Sequence, residues 1–485
     1  MLLFKQDYTG SGHKAGPRRV KHRLVRLCII LVASALMFFV SIFRPVRADI
    51  PLHAQVLVFV PAYEGSKLYD PDLAAKGADA PCVWGDLDAI RDSKLYFALR
   101  MPNPLLAGPM RSAGPIDVYG DFLEGLTEQQ DAPGFHAYTP GADFFTFSYD
   151  WRQEIATVTA PLFEKTLEEY ARIHEEKTGI PAAETKFVLV GHSMGGLIAR
   201  TFLSENPEWA GRIAAMYLVG APNLGSVKAI KTLVVGPGGL KENATSFPAS
   251  LLNLLPSNVD ANLTKLVAIT RPSIYELLPF DDPHWECVSA DSSRIRVSAQ
   301  DLLSIGPWQN YWPSAQLERR LFLDDWLKQR KAEGIKKIDV PDWEFCQDPD
   351  MRPLQKMLAQ VRDWRLRMGS LSYTNTLLTR PGEPSRLKVV VGTGLKTPTG
   401  IITEGAHDAS LARYTYEPDN DGDETVTGAS ALDDLHPGHD QIKLLNGVTH
   451  GKLMTDPHFL DYFYNELSAE PMAAPDPRGA TGQTL

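Results

Sequence analysis

The chain has 485 residues, of which 44% are hydrophobic and 22% are charged, and its formal net charge is −10. The apolar content excludes a disordered or collagen-like chain, and the length allows two or three domains or one α/β domain with long insertions. The acidic balance, with no basic stripe beyond the N-terminus, argues against a nucleic-acid-binding protein.

The first 48 residues differ in charge from the rest of the chain. They contain nine Lys and Arg and a single acid, and the uncharged run 27–43 (LCIILVASALMFFVSIF) spans 17 residues. A basic flank, an apolar stretch and a VRA sequence at 46–48 predict a secretory signal peptide cleaved after Ala48. An uncleaved anchor is the alternative, because 17 residues is the lower limit for crossing a bilayer. In both cases we expect the rest of the chain to be exported, as a periplasmic, secreted or outer-face-anchored protein.

Three cysteines lie beyond the apolar run: Cys82, Cys287 and Cys346. At most one disulfide can form, and an oxidising compartment favours a Cys287–Cys346 pair. Three buried free thiols are the alternative. Because no Cys/His spacing resembles a zinc site, we expect no metal.

The mature part begins with the first of five short, nearly continuous apolar runs, at 55–60, 144–149, 187–190, 215–219 and 387–391. Runs without alternation indicate strands that are buried on both faces of a parallel sheet. A helical spacing of apolar residues covers 161–177, and Gly179 follows as a stop signal. Strands that alternate with helices predict an α/β core.

This alternation stops between about residues 237 and 384, in a stretch rich in Trp, Asp and Arg with helical patterns at 315–331 and 351–367. We interpret the stretch as a cap or lid insertion, because the strand at 387–391 resumes the sheet pattern. Its apolar pieces at 249–255 and 302–312 fit either a lipid-facing lid or an ordinary cap core.

The domain boundaries follow from these patterns. We predict one α/β domain over 49–467, with a further insertion at about 67–117. The Pro-, Ala- and Gly-rich segment 468–485 is typical of a disordered tail.

A candidate nucleophile lies in the sequence GHSMG at 191–195, between the strand at 187–190 and a helical pattern at 197–204. G-x-S-x-G between a strand and a helix is typical of a nucleophile elbow, whose sharp turn requires small residues on both sides of the serine. The N–H groups at the start of the helix can then stabilise an oxyanion. We therefore expect Ser193 to be a nucleophile. His192 is expected to point away from the partners of that serine, and either to pack or to support a neighbouring site residue.

An activated serine needs a base and a carboxylate that orients it, and in this elbow fold both follow the serine along the chain. The acidic turn 419–426 (DNDGDETV) lies beyond the last strong strand; alternatively it is a solvated loop, and its glycine is misplaced for calcium binding. His450 lies in a short loop (GVTHG) before a final helix at 458–467. His436 and His439 lie in a loop rich in Pro, Gly and Asp, which is typical of surface residues.

Several segments resemble the lecithin:cholesterol acyltransferase family of α/β-hydrolases. These are 60–66 (VPAYEGS), 149–152 (YDWR), 191–196 (GHSMGG), 220–226 (GAPNLGS), 422–426 (GDETV) and the loop around His450. Their order and spacing cover most of 55–467. The resemblance implies an α/β-hydrolase fold, with a mostly parallel central sheet flanked by helices and a cap or lid.

The resemblance also implies roles for individual residues. Ser193 would be the nucleophile, Asp423 the acid and His450 the base, with no metal or organic cofactor. The backbone N–H groups of Met194 and Tyr63 would form the oxyanion hole. Because Ala62 replaces the usual glycine of the family, Glu64 is the alternative to Tyr63 as the second donor.

The YDWR segment supplies candidate substrate-pocket residues, since the family places this segment beside the acyl pocket. They are Tyr149, Trp151 and Arg152. The alternative is structural: Trp151 packs at the edge of the core, and Arg152 pairs with Asp150 or another acid.

The resemblance implies an exported, serine-dependent lipid acyltransferase or acyl hydrolase. Its partner would be an ester lipid, a phospholipid-type acyl donor, at a membrane or lipid surface. The alternatives are a carboxylesterase for small soluble esters and a catalytically silent envelope scaffold.

Overall fold

A six-stranded parallel sheet forms the centre of the protein. In chain order its strands are β1 (Gln55–Val60), β2 (Phe144–Thr146), β3 (Lys186–His192), β4 (Ile213–Val219), β5 (Leu387–Thr393) and β6 (Ile442–Asn446). Their order across the sheet is β6-β5-β4-β3-β1-β2, and every neighbouring pair is parallel. Because all six strands run the same way, their carboxyl ends meet at one edge, where α/β proteins place their sites.

The computed structural model describes residues 52–73, 79–86, 99, 104–128, 130, 132–234, 271–280, 284–288, 294–308, 328, 351–404, 413–415, 421–435, 441–468 and 472–473. They all belong to the unit Leu52–Leu485, one of the two into which the chain divides. The other unit, Met1–Pro51, contains the predicted signal peptide and lies outside the described residues, as do the apolar piece at 249–255 and, apart from residue 328, the predicted helix at 315–331.

Seven described helices have eight residues or more. They are α1 (Gly120–Thr127), α2 (Ala160–Thr178), α3 (Met194–Glu205), α4 (Val227–Val234), α5 (Arg352–Met368), α6 (Leu371–Leu378) and α7 (Pro457–Leu467). Shorter helical turns are Pro71–Leu73, Ile155–Thr159, Pro207–Arg212, Pro272–Glu276, Ala299–Leu302, Gly306–Trp308, Gly428–Leu432 and His450–Thr455. The helices predicted at 161–177, 351–367 and 458–467 are confirmed as α2, α5 and α7.

The strands β1, β3 and β4 supply the centre of the core. Residues 56–60 and 187–190 have no exposed surface, and α3 is buried from Met194 to Leu203. The five strands predicted from apolar runs are confirmed, although β2 ends at Thr146 rather than at 149. The sixth strand, β6, lies at the edge of the sheet with only Leu445 buried, so it has no continuous apolar run.

A second, four-stranded sheet joins the predicted cap to the segment after β5. Its order is Arg294–Val297, His284–Val288, Gly400–Glu404 and Arg413–Thr415. The strand His284–Val288 runs parallel to Gly400–Glu404, and the other two pairs are antiparallel. Residues beyond 384 therefore share a sheet with residues of the predicted cap.

Three small antiparallel sheets complete the strands. One has the order Cys82–Trp84, Ser66–Tyr69 and Leu106–Pro109, and the two-stranded ones pair Ser112–Ala113 with Ile116–Asp117 and Leu395–Lys396 with Asp421–Gly422. Cys82 is a free thiol that donates to the Trp84 carbonyl. Because Cys346 lies outside the described residues, the Cys287–Cys346 disulfide stays a prediction. Among the described residues, no helix combines the length and apolarity needed to cross a bilayer.

Candidate active site

Ser193 occupies a sharp turn between β3 and α3. Its backbone has φ 54° and ψ −121°, in a region that non-glycine residues adopt rarely, and its N–H donates to the Val219 carbonyl at 2.9 Å. A Cβ atom on Gly191 would lie 2.6 Å from the Cα of Gly196, and one on Gly195 would overlap the Val60 carbonyl oxygen. The glycines are therefore required by close backbone contacts, as the G-x-S-x-G pattern predicts.

Asp423, which is buried, and His450, which is partly buried, form an acid–base pair. Asp423 Oδ2 lies 2.7 Å from His450 Nδ1, and the His450 N–H donates to the Asp423 carbonyl at 2.9 Å. The other carboxylate oxygen accepts the N–H groups of Thr425 and Val426 at 3.0 and 2.7 Å. Since a carboxylate only accepts hydrogen bonds, Nδ1 of the histidine carries the proton. The Nε2 atom of His450 is then left as a proton acceptor.

The end of β4 brings His450 near the elbow. Its last residue, Val219, accepts the Ser193 N–H, and the next residue, Gly220, has φ 58°. A Cβ atom on Gly220 would lie 3.3 Å from the Nδ1 and Cε1 atoms of His450. The serine turn and the histidine ring therefore flank the same strand end. The sequence predicts His450 at a strand end, and it indeed begins the turn His450–Thr455 after β6.

The two predicted oxyanion donors lie on neighbouring loops. Met194 is the first residue of α3, where the helix dipole favours negative charge. Tyr63 lies in the turn after β1, which is closed by a hydrogen bond from the Gly65 N–H to the Ala62 carbonyl at 2.9 Å. The contact of Gly195 with the end of β1 places this turn against the start of α3. The assignment of the two donors stays a prediction.

Glu64, the alternative second donor, is unusual within that turn. Its backbone has φ 62°, its side chain is buried, and its Oε2 atom has no hydrogen-bond partner within the described part of the chain. Burial raises the pKa of Glu64 to about 8. We call residues 61–65 the oxyanion turn, after their predicted role. This turn therefore contains a carboxyl group that holds its proton at neutral pH.

Tyr149 and Trp151 of the YDWR segment contact this same turn. The Tyr149 hydroxyl donates to the Pro61 carbonyl at 2.7 Å, and the Trp151 ring packs edge-on against the Tyr63 ring with centroids 4.8 Å apart. Both side chains are almost fully buried. They pack against the oxyanion turn. Their role in lining the substrate pocket stays a prediction.

Arg152 pairs with Asp150, as the structural alternative to a pocket role predicts. Its guanidinium is fully buried and binds both carboxylate oxygens of Asp150, at 2.7 and 2.6 Å, and the Leu99 carbonyl at 3.0 Å. These contacts occupy the charged head of the side chain. Arg152 is thus held in a buried ion pair, and its role beside a substrate pocket stays a prediction.

His192 corrects one part of its prediction. It is expected to point away from the partners of the nucleophile, but its Nε2 atom lies 3.1 Å from the His450 carbonyl oxygen, a contact that fits the expected alternative of a supporting residue. The two imidazole rings are 5.1 Å apart. The G-x-S-x-G pattern could not show this contact, because the two residues are 258 positions apart.

Two further observations concern metal binding and the other histidines. Among the described residues, no group of three or more His, Cys, Asp or Glu side chains could hold a metal ion. His436 and His439, predicted to lie at the surface, fall outside the described residues.

A parallel sheet, a serine on a sharp turn after a central strand, and an acid–histidine pair on later strand ends define an α/β-hydrolase-like protein. A chain of "The crystal structure of Tle4-Tli4 complex" has a similar fold, with a TM-score of 0.54 and 13% sequence identity. The match covers 85% of this chain and 98% of that one. Comparison with curated proteins finds no match.

The sequence model of the lecithin:cholesterol acyltransferase family matches residues 133–432, which is more than half of the chain, and the protein therefore belongs to that family. Membership supports a lipid acyltransferase or acyl hydrolase as the class of enzyme. The matched range contains Ser193 and Asp423 but ends before His450. The choice of His450 therefore depends on its contact with Asp423.

Proposed function

We propose that this protein is an exported lipid acyltransferase or acyl hydrolase that uses Ser193, Asp423 and His450 as a catalytic triad. The observation that carries the proposal is the contact of 2.7 Å between Asp423 Oδ2 and His450 Nδ1, beside the strand end that binds the Ser193 backbone. Family membership supports the reaction class, and the contacts support the three residues.

In the first step, the Ser193 hydroxyl oxygen attacks the carbonyl carbon of the ester, and His450 Nε2 takes the hydroxyl proton. Asp423 keeps the proton of the ring on Nδ1 and stabilises the imidazolium that forms. The tetrahedral oxyanion accepts hydrogen bonds from the backbone N–H groups of Met194 and Tyr63. Loss of one such donor costs about 3 kcal/mol of transition-state stabilisation.

The intermediate then collapses: the C–O bond to the leaving alcohol breaks, and His450 gives the proton that it took from Ser193 to the oxygen of that alcohol. The products are a free alcohol and an acyl ester on Ser193. In the second step His450 removes a proton from the acceptor, which is water or a second alcohol, as the acceptor oxygen attacks the acyl carbonyl carbon. The bond from that carbon to the Ser193 oxygen then breaks, and His450 returns the proton to the serine oxygen. Hydrolysis and transfer therefore use the same three residues and differ only in the acceptor.

We infer a phospholipid-type ester as the acyl donor, since the family model describes an acyltransferase of lecithin. Export is inferred from the basic flank and the apolar run of the first 48 residues. A carboxylesterase for small soluble esters and a silent scaffold are the competing outcomes of the experiments.

The triad is tested by covalent labelling of the full-length chain with a fluorophosphonate, which reacts only with an activated serine. The variant Ser193→Ala should lose the label. Ser204→Ala is the matched control, because Ser204 lies on the same helix and its hydroxyl donates to the Met368 carbonyl at 2.9 Å, away from the proposed triad. Labelling that persists in Ser193→Ala, or that is absent from the wild type, would contradict the proposal.

A further inference from the structure

A chain of hydrogen bonds outside the triad connects the oxyanion turn to the proposed base. The Ala62 N–H donates to the Tyr119 hydroxyl oxygen at 3.1 Å. That oxygen lies 2.9 Å from His192 Nδ1, and His192 Nε2 lies 3.1 Å from the His450 carbonyl oxygen. Ala62 directly precedes Tyr63, so this series of hydrogen bonds begins beside one proposed oxyanion donor and ends on the proposed base.

The direction of every hydrogen bond in this chain is determined. A carbonyl oxygen only accepts, so Nε2 of His192 carries a proton. Burial lowers the pKa of His192 to about 3, so the ring is neutral and its Nδ1 atom accepts. The Tyr119 hydroxyl therefore donates to Nδ1, and its oxygen is free to accept the Ala62 N–H. For a neutral His192 ring, this assignment of protons satisfies all three hydrogen bonds.

The side chains that make these hydrogen bonds are shielded from solvent and packed against neighbouring residues. Tyr119 and His192 are each 3% exposed, so water has little access to replace a lost partner. The Tyr119 ring packs edge-on against the Phe59 ring of β1, with centroids 4.8 Å apart, and Tyr119 itself is the N-cap of α1. His192 is the last residue of β3 and directly precedes the nucleophile. The two side chains therefore stand on rigid elements, as positioning residues require.

We propose that His192, together with Tyr119, is a positioning residue: it holds the His450 backbone and the oxyanion turn in fixed positions relative to Ser193. The inference rests on the proposed function, since it needs His450 as the base. It assigns a role to the second residue of the G-x-S-x-G sequence. Neither side chain takes or gives a proton to the substrate in this role.

Three substitutions test the individual hydrogen bonds of this series. Tyr119→Phe keeps the ring and removes the hydroxyl. In His192→Gln the amide nitrogen reaches the position of Nε2 and can still donate to the His450 carbonyl, whereas in His192→Asn the amide oxygen reaches the position of Nδ1 and can still accept from Tyr119. Tyr170→Phe is the control, because the Tyr170 hydroxyl donates to the Thr146 carbonyl at 3.3 Å and takes no part in these hydrogen bonds.

The measurement is turnover of a p-nitrophenyl acyl ester by the full-length protein, with the rate of fluorophosphonate labelling and a thermal melt for every variant. We expect Tyr119→Phe and His192→Asn to lower kcat about 10- to 100-fold, with KM within about twofold of wild type. His192→Gln should retain more activity than His192→Asn, because it keeps the bond to His450. Tyr170→Phe should match the wild type.

Two results would overturn the inference. One is a kcat within about twofold of wild type for both His192 variants and for Tyr119→Phe, with normal melting. The other is an activity of His192→Asn that equals or exceeds that of His192→Gln. Failure of the proposed function looks different, because the wild type would then show no labelling or turnover that depends on Ser193.

Discussion

Replacement of Asp423 by asparagine is the sharpest single test of the triad, because the structure fixes how the amide must lie. The Thr425 and Val426 N–H groups both point at one carboxylate oxygen, at 3.0 and 2.7 Å, so the amide oxygen must take that position. The amide nitrogen then faces His450 Nδ1, where the carboxylate oxygen stood at 2.7 Å. A nitrogen that donates would force Nδ1 to accept and move the ring proton to Nε2.

That tautomer cannot take the serine proton, so we expect Asp423→Asn to lower kcat by about 10⁴-fold with little change in KM. The assay is turnover of a p-nitrophenyl acyl ester by the full-length chain. Asp421→Asn is the matched control, because Asp421 is exposed and its contact with the Gly394 N–H can be kept by the amide oxygen. A loss of less than about tenfold in Asp423→Asn would refute the assignment of the acid.

Three further changes test the surrounding structure. Gly195→Ala should destabilise the protein by about 1–3 kcal/mol and abolish labelling, whereas Gly211→Ala, with no atom within 4 Å of the new Cβ, should do neither. Arg152→Met should cost about 3–5 kcal/mol of unfolding free energy, because it leaves the Asp150 carboxylate unpaired; a raised KM with unchanged stability would instead indicate a substrate contact. The raised pKa of Glu64, about 8 in the folded state, stabilises the fold below pH 4.5, and this contribution is lost as the pH rises through 8. In urea unfolding, Glu64→Gln should therefore gain a few kcal/mol over the wild type between pH 5 and 9; parallel pH curves would contradict this.

The sequence predicts those parts of the fold whose signals are local. The strands β1, β3, β4 and β5 are continuous apolar runs because both faces of each strand are covered, and the elbow requires glycines at fixed spacing. The strand β6 escapes prediction because only Leu445 is buried in this edge strand, so its sequence has no continuous apolar run. Local patterns therefore identify the centre of the sheet better than its margin.

Contacts between distant segments could not be predicted in the same way. The strand His284–Val288 pairs with Gly400–Glu404 across more than 100 residues, and no local pattern records such a partner. The contact between His192 and His450 is of the same kind. Arg152 is a milder case, since the neighbouring Asp150 makes an ion pair foreseeable, but only the fold shows that the pair is buried.

The fate of the acyl group tests the central claim most directly. The full-length protein, Ser193→Ala and the Ser204→Ala control are incubated with a phospholipid labelled in its acyl chain, with and without a sterol or a diacylglycerol. We predict that the wild type and Ser204→Ala release labelled fatty acid or form a labelled ester of the added alcohol, and that Ser193→Ala does neither. Lipid turnover that is absent from the wild type, or unchanged in Ser193→Ala, would contradict the assignment of this protein as a serine-dependent lipid acyltransferase or hydrolase.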